Sequence, residues 1–207
     1  MKFFDCIHHA PAAPADLFVV EGDSAAEAVC AVRNCLLQAV LPVQGKPMNA
    51  MRSSPARLLG SPWFRTLTAA LGSAPGTALP LGELRYARVI LLFDPDADGI
   101  HAAALVQLFL YRCMPTLLES GKVEIVHAPW GEIRIPGEAP RLSWHAAEYQ
   151  QHSRAVSGRE DVQRLRYRGL GGITPTILES TCVNPATRRS RVLTMTDVQA
   201  AVQLFGR

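Results

Sequence analysis

Apolar residues along this chain fall into short unbroken blocks that alternate with longer stretches at helical spacing. Leu17-Phe-Val-Val20 is the first block and reads as a short buried strand, preceded by the Pro/Ala connector Ala10-Pro-Ala-Ala-Pro-Ala15. Behind it, Ala25, Ala28, Val29, Val32, Leu36 and Leu37 recur at the spacing of a helix face. Ser24, followed three residues later by Glu27, predicts a capping box at the start of that helix. A loop is expected around Pro42 to Asn49, a helix over Trp63 to Leu71, and a breaker at Gly72-Ser-Ala-Pro-Gly-Thr77. Tyr86 to Phe93, with its core Val89-Ile-Leu-Leu-Phe93, is a continuous apolar run of the kind that is covered on both faces of a sheet. Ile100 to Leu118 predicts a strongly apolar helix, interrupted or bent near Pro115, and Lys122 to Val126 a further short strand. Strands alternating with helices give an α/β class, with a parallel sheet wound by helices on both faces. Residues 1–135 are expected to form that domain, 136–158 a polar connector with one short helix, and 159–207 a small, basic, mostly helical tail module.

Composition narrows the setting. With 207 residues and 48% hydrophobic content the chain can bury a real core. Its longest apolar stretch, around Ala102 to Tyr111, is about half of the ~20 residues a membrane span requires, and Met-Lys-Phe-Phe-Asp-Cys shows no cleavable signal pattern. A cytoplasmic, nucleoid-associated location without membrane attachment is the expectation. The five cysteines are scattered, with no Cys-x-x-Cys pair, and read as reduced structural thiols. Net charge is only +3, but it is unevenly placed. From Arg154 to Arg207 nine arginines face four acidic residues, a net of +5, which leaves −2 for the rest. This asymmetry is compatible with an acidic metal site in one region and a phosphate-facing surface in the other, or with a merely solvated basic tail.

Chemistry concentrates at two acidic clusters, each directly after a buried strand. They are Glu21-Gly22-Asp23 and Asp94-Pro-Asp96-Ala-Asp98-Gly99. In an open parallel sheet the carboxyl ends of neighbouring strands converge on one crevice. If the two strands are neighbours, four or five carboxylates meet there and repel one another strongly enough to require a cation. All-oxygen ligands select Mg²⁺ or Mn²⁺ before zinc. The Asp-x-Asp-x-Asp-Gly spacing also opens an EF-hand loop, but that loop needs a preceding helix and a Glu at its twelfth position, where this chain has Leu105. A solvated turn is the remaining structural alternative for Asp94 to Asp98.

At these residues the chain resembles the TOPRIM region and C-terminal tail of type IIA DNA topoisomerase B subunits, the gyrase B and topoisomerase IV B group. The family's Glu-Gly-Asp-Ser-Ala stands here as Glu21-Gly-Asp-Ser-Ala25. Its Gln-Ala-Ile-Leu-Pro-Leu-x-Gly-Lys-Ile-Leu-Asn is nearly repeated as Gln38-Ala-Val-Leu-Pro-Val-Gln-Gly-Lys-Pro-Met-Asn49, and its Lys-Leu-Arg-Tyr as Glu83-Leu-Arg-Tyr86. Phe93-Asp-Pro-Asp-Ala-Asp-Gly-Ile-His101 is similar to Thr-Asp-Ala-Asp-Val-Asp-Gly-x-His, and Phe109-Leu-Tyr-Arg-Cys-Met-Pro115 to Phe-Phe-Tyr-Arg-x-Met-Pro. Leu165-Arg-Tyr-Arg-Gly-Leu-Gly-Gly-Ile-Thr-Pro175 resembles the tail motif Gln-Arg-Tyr-Lys-Gly-Leu-Gly-Glu-Met-Asn-Pro, and Asn184-Pro-Ala-Thr-Arg-Arg189 follows.

The resemblance implies a TOPRIM, Rossmann-like fold and a role in Mg²⁺-dependent DNA cleavage and religation. It makes Glu21, Asp94 and Asp96 catalytic metal ligands, with Asp98 supporting or binding a second ion and Glu21 also able to act as a general acid/base. Lys46 and Asn49 become contacts to double-stranded DNA, as do Arg168 and His101, the latter equally readable as an ordinary helix-start residue. The attacking tyrosine is expected on a gyrase A or topoisomerase IV A-like partner, because Tyr86, Tyr111 and Tyr167 fall inside motifs on the metal side and Tyr149 in the connector. No ATP site is expected, since the chain opens at the family's leader before this region. Some family positions differ: Ala26-Glu27, Val32 to Cys35, Ala102-Ala103 and Gly172 replace glycines, basic groups and an acid. Weaker phosphate binding follows from lost cations. Two alternatives therefore stand beside the topoisomerase component: an inactive paralogue that binds DNA or the partner protein as a regulator, and a free-standing TOPRIM nuclease.

Overall fold

The computed structural model describes residues 2–73 and 81–205. Thr77 and its neighbours in the expected breaker lie outside the described residues, whereas Gly72 at its start has φ +87°, a conformation suited to glycine.

The elements follow in order as β1 (Asp16–Glu21), α1 (Gly22–Val32), β2 (Gln38–Val43), α2 (Pro55–Leu59), α3 (Pro62–Ala70), β3 (Arg88–Phe93), α4 (Ala97–Cys113), α5 (Pro115–Glu119), β4 (Val123–His127), β5 (Gly131–Arg134), β6 (Arg141–Ser143), α6 (Ala146–Ala155), β7 (Gln163–Arg166), α7 (Pro175–Leu178), β8 (Ser190–Val192) and α8 (Met195–Phe205). The main sheet has the order β2-β1-β3-β4-β8. Its first four strands are parallel and β8 runs antiparallel beside β4. Side chains alternate across it as strand geometry dictates. Leu17, Val19, Leu41, Val89 and Leu91 face the layer of α3, α4, α5 and α8. Phe18, Val20, Val40, Ile90 and Leu92 face α1, α7 and Leu170. The sheet is thus covered on both faces, as the continuous apolar runs require.

Some sequence expectations need correction. Gln38–Val43 is a strand, not the start of a loop. Its Pro42 is accommodated because β2 lies at the sheet's edge, where a missing donor removes no ladder bond. Val40 donates outward to the Phe4 carbonyl at 2.8 Å, and Pro42, two residues on, directs its nitrogen to that same outer side. Ser24 and Glu27 form no capping box. The helix begins earlier, at Gly22, with Glu21 in the N-cap position and no side-chain cap bond. Gly22 takes φ +73°, so the chain turns from β1 into α1 before Ser24 is reached. Glu27 lies instead 3.8 Å from Lys2. The interruption expected near Pro115 is present: the apolar stretch forms two helices, broken at Met114.

The second half of the chain holds a three-stranded antiparallel sheet, β6-β5-β7, with α6 packed on it. The strands β6 and β7 lie in segments whose polar composition hides period-two alternation. The segment 159–207 also contributes β8 to the main sheet and α8 to the layer over α4. A buried charge network joins the pieces. Arg188, 1% exposed at its side chain, bonds Asp16 Oδ2 at 2.8 Å and Glu124 Oε2 at 3.2 Å, while Arg88 bonds Asp16 Oδ1 at 2.7 Å. Charges this deeply buried persist only when paired, so Arg188 locks the last quarter of the chain to the starts of β1 and β4.

Candidate metal centre

Adjacent parallel strands bring the two acidic clusters together. Glu21 ends β1, Asp94 follows β3, and these strands pair directly with Val20 opposite Leu92. Asp96 caps α4 by accepting the Gly99 N–H at 2.9 Å. Asp98 lies in the first turn of that helix, where its Oδ1 accepts from Lys46 Nζ at 3.3 Å. Lys46 reaches over from the loop after β2, as does Gln44, whose amide donates to Asp23 at 3.4 Å.

The loop between β3 and α4 is tight enough to dictate sequence. A Cβ on Gly99 would stand 2.2 Å from the Asp94 carbonyl oxygen, so no larger residue is compatible with this backbone. On its outer side the Arg168-Gly-Leu-Gly171 segment closes against the acids. The Leu170 N–H donates to Asp94 Oδ1 at 2.9 Å. A Cβ on Gly169 would come within 2.7 Å of Asp94 Oδ2, and one on Gly171 within 2.7 Å of Ser24 Oγ. Sequence reasoning missed this role for Leu170, Gly169 and Ser24. The glycine spacing was visible in the tail motif, but a contact across 76 residues cannot be read from local pattern.

Electrostatics in the crevice are those of crowded, partly buried carboxylates. Burial pushes the Glu21 carboxyl above its ordinary value, and Asp94, Asp96 and Asp98 push it further, with Lys46 opposing. Asp94 is raised as well, again first by burial and then by Asp96, while the Leu170 N–H holds it down. Glu21 Oε2 is buried without any hydrogen-bond partner. A buried carboxylate oxygen with no donor, next to three further carboxylates, is a group that a hard cation would satisfy. The acids are neighbours without being a closed ligand cage: among the described residues no three of them have ligand atoms within 4.8 Å of one another. Asp94, Asp96 and Asp98 are turned to Leu170, Gly99 and Lys46 respectively.

The remaining sequence-derived site residues are placed differently. Asn49 donates from Nδ2 to the Phe205 carbonyl at 2.6 Å and accepts from Met51 N–H at 3.0 Å. His101 stacks on the Phe205 ring, with centroids 5.2 Å apart. Both are therefore occupied by the end of α8. Arg168 is exposed and makes no ion pair among the described residues. A tighter group, Asp5, Cys6 and His9, lies elsewhere. Arg85 Nη2 sits 2.6 Å from Asp5 Oδ2 and 2.7 Å from His9 Nε2, so a guanidinium already fills the place of a cation there.

Residues 16–128, from the first residue of β1 to just beyond β4, match the Toprim domain family. The chain belongs to the Toprim domain family. Its relatives include the DNA gyrase B protein of Thermotoga maritima, 35% identical over 190 residues, which are 92% of this chain and 30% of that protein. The DNA gyrase B protein of Archaeoglobus fulgidus is 34% identical over 204 residues, 99% of this chain and 32% of the relative. The Borreliella burgdorferi protein of the same name is 30% identical over 208 residues, again covering 99% and 32%. The chain thus spans less than a third of the length of these relatives. The Toprim match ends near Ala128, whereas the gyrase B similarity continues through the second sheet and α8.

Proposed function

We propose that this Toprim chain supplies the divalent-cation side of a DNA cleavage and religation centre of the type IIA topoisomerase kind. It acts with a gyrase A-like partner that brings the attacking tyrosine, in the cytoplasm on nucleoid DNA. The observation that carries the reading is the buried, partnerless Glu21 Oε2 at the crevice shared with Asp94, Asp96 and Asp98. Glu21, Asp94 and Asp96 would hold Mg²⁺ or Mn²⁺, with Asp98 completing the set or serving a second ion. When bound, such ions stabilise charge on the non-bridging and leaving oxygens of a phosphodiester. The chain's own groups do the rest. Leu170 N–H fixes the Asp94 carboxylate, and Lys46 holds Asp98 while presenting positive charge to a phosphate. Glu21 retains a proton to higher pH than an ordinary glutamate, the property a general acid/base toward a 3′ oxygen needs. Arg168, exposed beside Gly169, is suited to contact the DNA backbone.

The test is plasmid cleavage with Mg²⁺, with and without a gyrase A-type protein. Covalent cleavage complexes are expected only with the partner, and Asp94→Ala should lower them about 100-fold or more, the scale on which loss of one electrostatic stabiliser shows. Undiminished cleavage by Asp94→Ala would sink the proposal, and nicking without a partner would replace it with a free-standing nuclease. One observation favours a second reading, a regulator that binds DNA or the partner without chemistry: Asn49 and His101 are both engaged by Phe205. That reading expects no cleavage with any metal, together with inhibition of an intact topoisomerase.

A further inference from the structure

Beyond the acidic crevice, the ends of β3 and β4 border a cavity of about 630 Å³, inside the ~300–1,000 Å³ range of small-molecule sites. Phe93 and Val126 line it from the sheet, Ile100 and Ala103 from α4, and Trp130 and Trp144 from the second sheet and the turn into α6. Asp94 lines it too, so cavity and crevice share a wall.

Three features define what would occupy it. The wall is predominantly apolar and aromatic, which suits the flat body of a ring and not a bare anion. Arg189 lies on the cavity with its guanidinium 4.1 Å from the centre of the Trp144 ring, and it makes no ion pair among the described residues. This is an exposed cation stacked on an indole, without an ion-pair partner among the described residues. Third, Trp144, which lines the cavity, has an enclosed indole N–H without an acceptor, an unmet donor that a small shift of the ring would offer to a ligand lone pair. His145 adds a donor: its Nδ1 accepts from the Glu148 N–H at 3.2 Å, which leaves the ring proton on Nε2.

A planar ring rich in acceptors, joined to an anion, matches this set. We propose that the cavity binds one nucleotide unit, its base on the apolar wall near Trp144 and its phosphate at Arg189. Bases inside a duplex are stacked and out of reach, so the ligand is either a free nucleotide or an unpaired nucleotide at a strand end or break. Nothing in this inference needs a metal in the crevice.

Calorimetry on the full chain tests it, with deoxyadenosine monophosphate, deoxyadenosine, a short single-stranded oligonucleotide and a blunt duplex as probes. Deoxyadenosine monophosphate is expected to bind saturably at one site, and deoxyadenosine about tenfold more weakly for want of the charged contact. Arg189→Gln, at an exposed position, should weaken the nucleotide by a similar factor, and Trp144→Ala should weaken it at least as much, with thermal melts confirming that both variants fold. Glu21→Gln should leave nucleotide binding intact, which separates this proposal from the metal reading. Binding of the mononucleotide assigns a free-nucleotide site; binding of the single strand alone assigns an unpaired nucleotide within DNA. Either supports the proposal. Absence of binding by both, equal binding of the blunt duplex, or unchanged affinity in both cavity variants overturns it.

Discussion

Single residues at the crevice are held in states they would not choose alone. Glu21 and Asp94 both bind protons more tightly folded than unfolded, whose ordinary values are 4.5 and 3.8. A raised carboxyl pKa costs nothing while the acid is protonated in both states. The cost grows as pH rises through the ordinary value and on through the raised one. Metal-free protein should therefore lose melting temperature between about pH 4 and neutrality, and Glu21→Gln should reduce that loss; an equally steep decline in the variant would contradict the assignment. Asp5 behaves in the opposite sense. Tyr86, His9 and Arg85 all bond its carboxylate and hold its pKa well below the ordinary 3.8 against the effect of burial, so its contribution is present above that value and disappears as pH falls through the depressed one. Asp5→Ala leaves the buried Tyr86 hydroxyl without its acceptor. About 1–3 kcal/mol of stability at pH 7 should go with it, measured by chemical denaturation. At Gly169, alanine would drive a methyl group against Asp94 Oδ2. Strain of about 1–3 kcal/mol is expected together with weaker Mn²⁺ binding, whereas alanine at exposed Gly172, which meets nothing within 4 Å, should affect neither.

At the level of elements, the decisive join is between the chain's last quarter and the sheet. The antiparallel β8 adds only a three-residue edge, so pairing alone holds it weakly. Arg188 reinforces it from inside, bridging the acids at the starts of β1 and β4. Arg188→Ala removes one member of a buried charge group and strands Asp16, 3% exposed at its side chain, opposite Arg88 alone. Destabilisation of about 3–5 kcal/mol is expected. Arg188→Lys should recover only part of it, since an ammonium cannot fork to both carboxylates. Urea denaturation of the three proteins orders them, and equal stability of all three would show that β8 and α8 dock without this network.

For the molecule as a whole, cation binding and stability are linked. If the crevice is the site, Mg²⁺ or Mn²⁺ binds the folded chain and not the unfolded one, and cation at 100 times its dissociation constant should raise stability by about 2.7 kcal/mol. Chelator should reverse the gain, and Glu21→Gln should abolish most of it. A gain that persists undiminished in the variant would locate the cation elsewhere. Removal of α8 is the complementary change. It uncovers apolar residues of α4 and frees Asn49 and His101 from Phe205, so reduced thermal stability should accompany tighter DNA binding under the topoisomerase reading.

Sequence alone determined whatever depends on neighbours along the chain. Unbroken apolar runs gave β1 and β3, the short stretch Lys122 to Val126 gave β4, helical spacing gave α1, α3 and α4, and acids directly after strands marked Glu21 and the Asp94 cluster. It misplaced the start of α1, because a positive-φ glycine outweighed a plausible cap, and it passed over β2, because proline is excluded from central strands but not from an edge. What only the tertiary structure decided is which distant segments meet. The β1–β3 pairing that puts Glu21 beside Asp94, the Leu170 N–H on Asp94, Arg188 between Asp16 and Glu124, and Phe205 over Asn49 and His101 all join residues that no periodicity connects. Such contacts arise from burying shared surface and neutralising shared charge, and these are properties of the folded chain in space and not of its order.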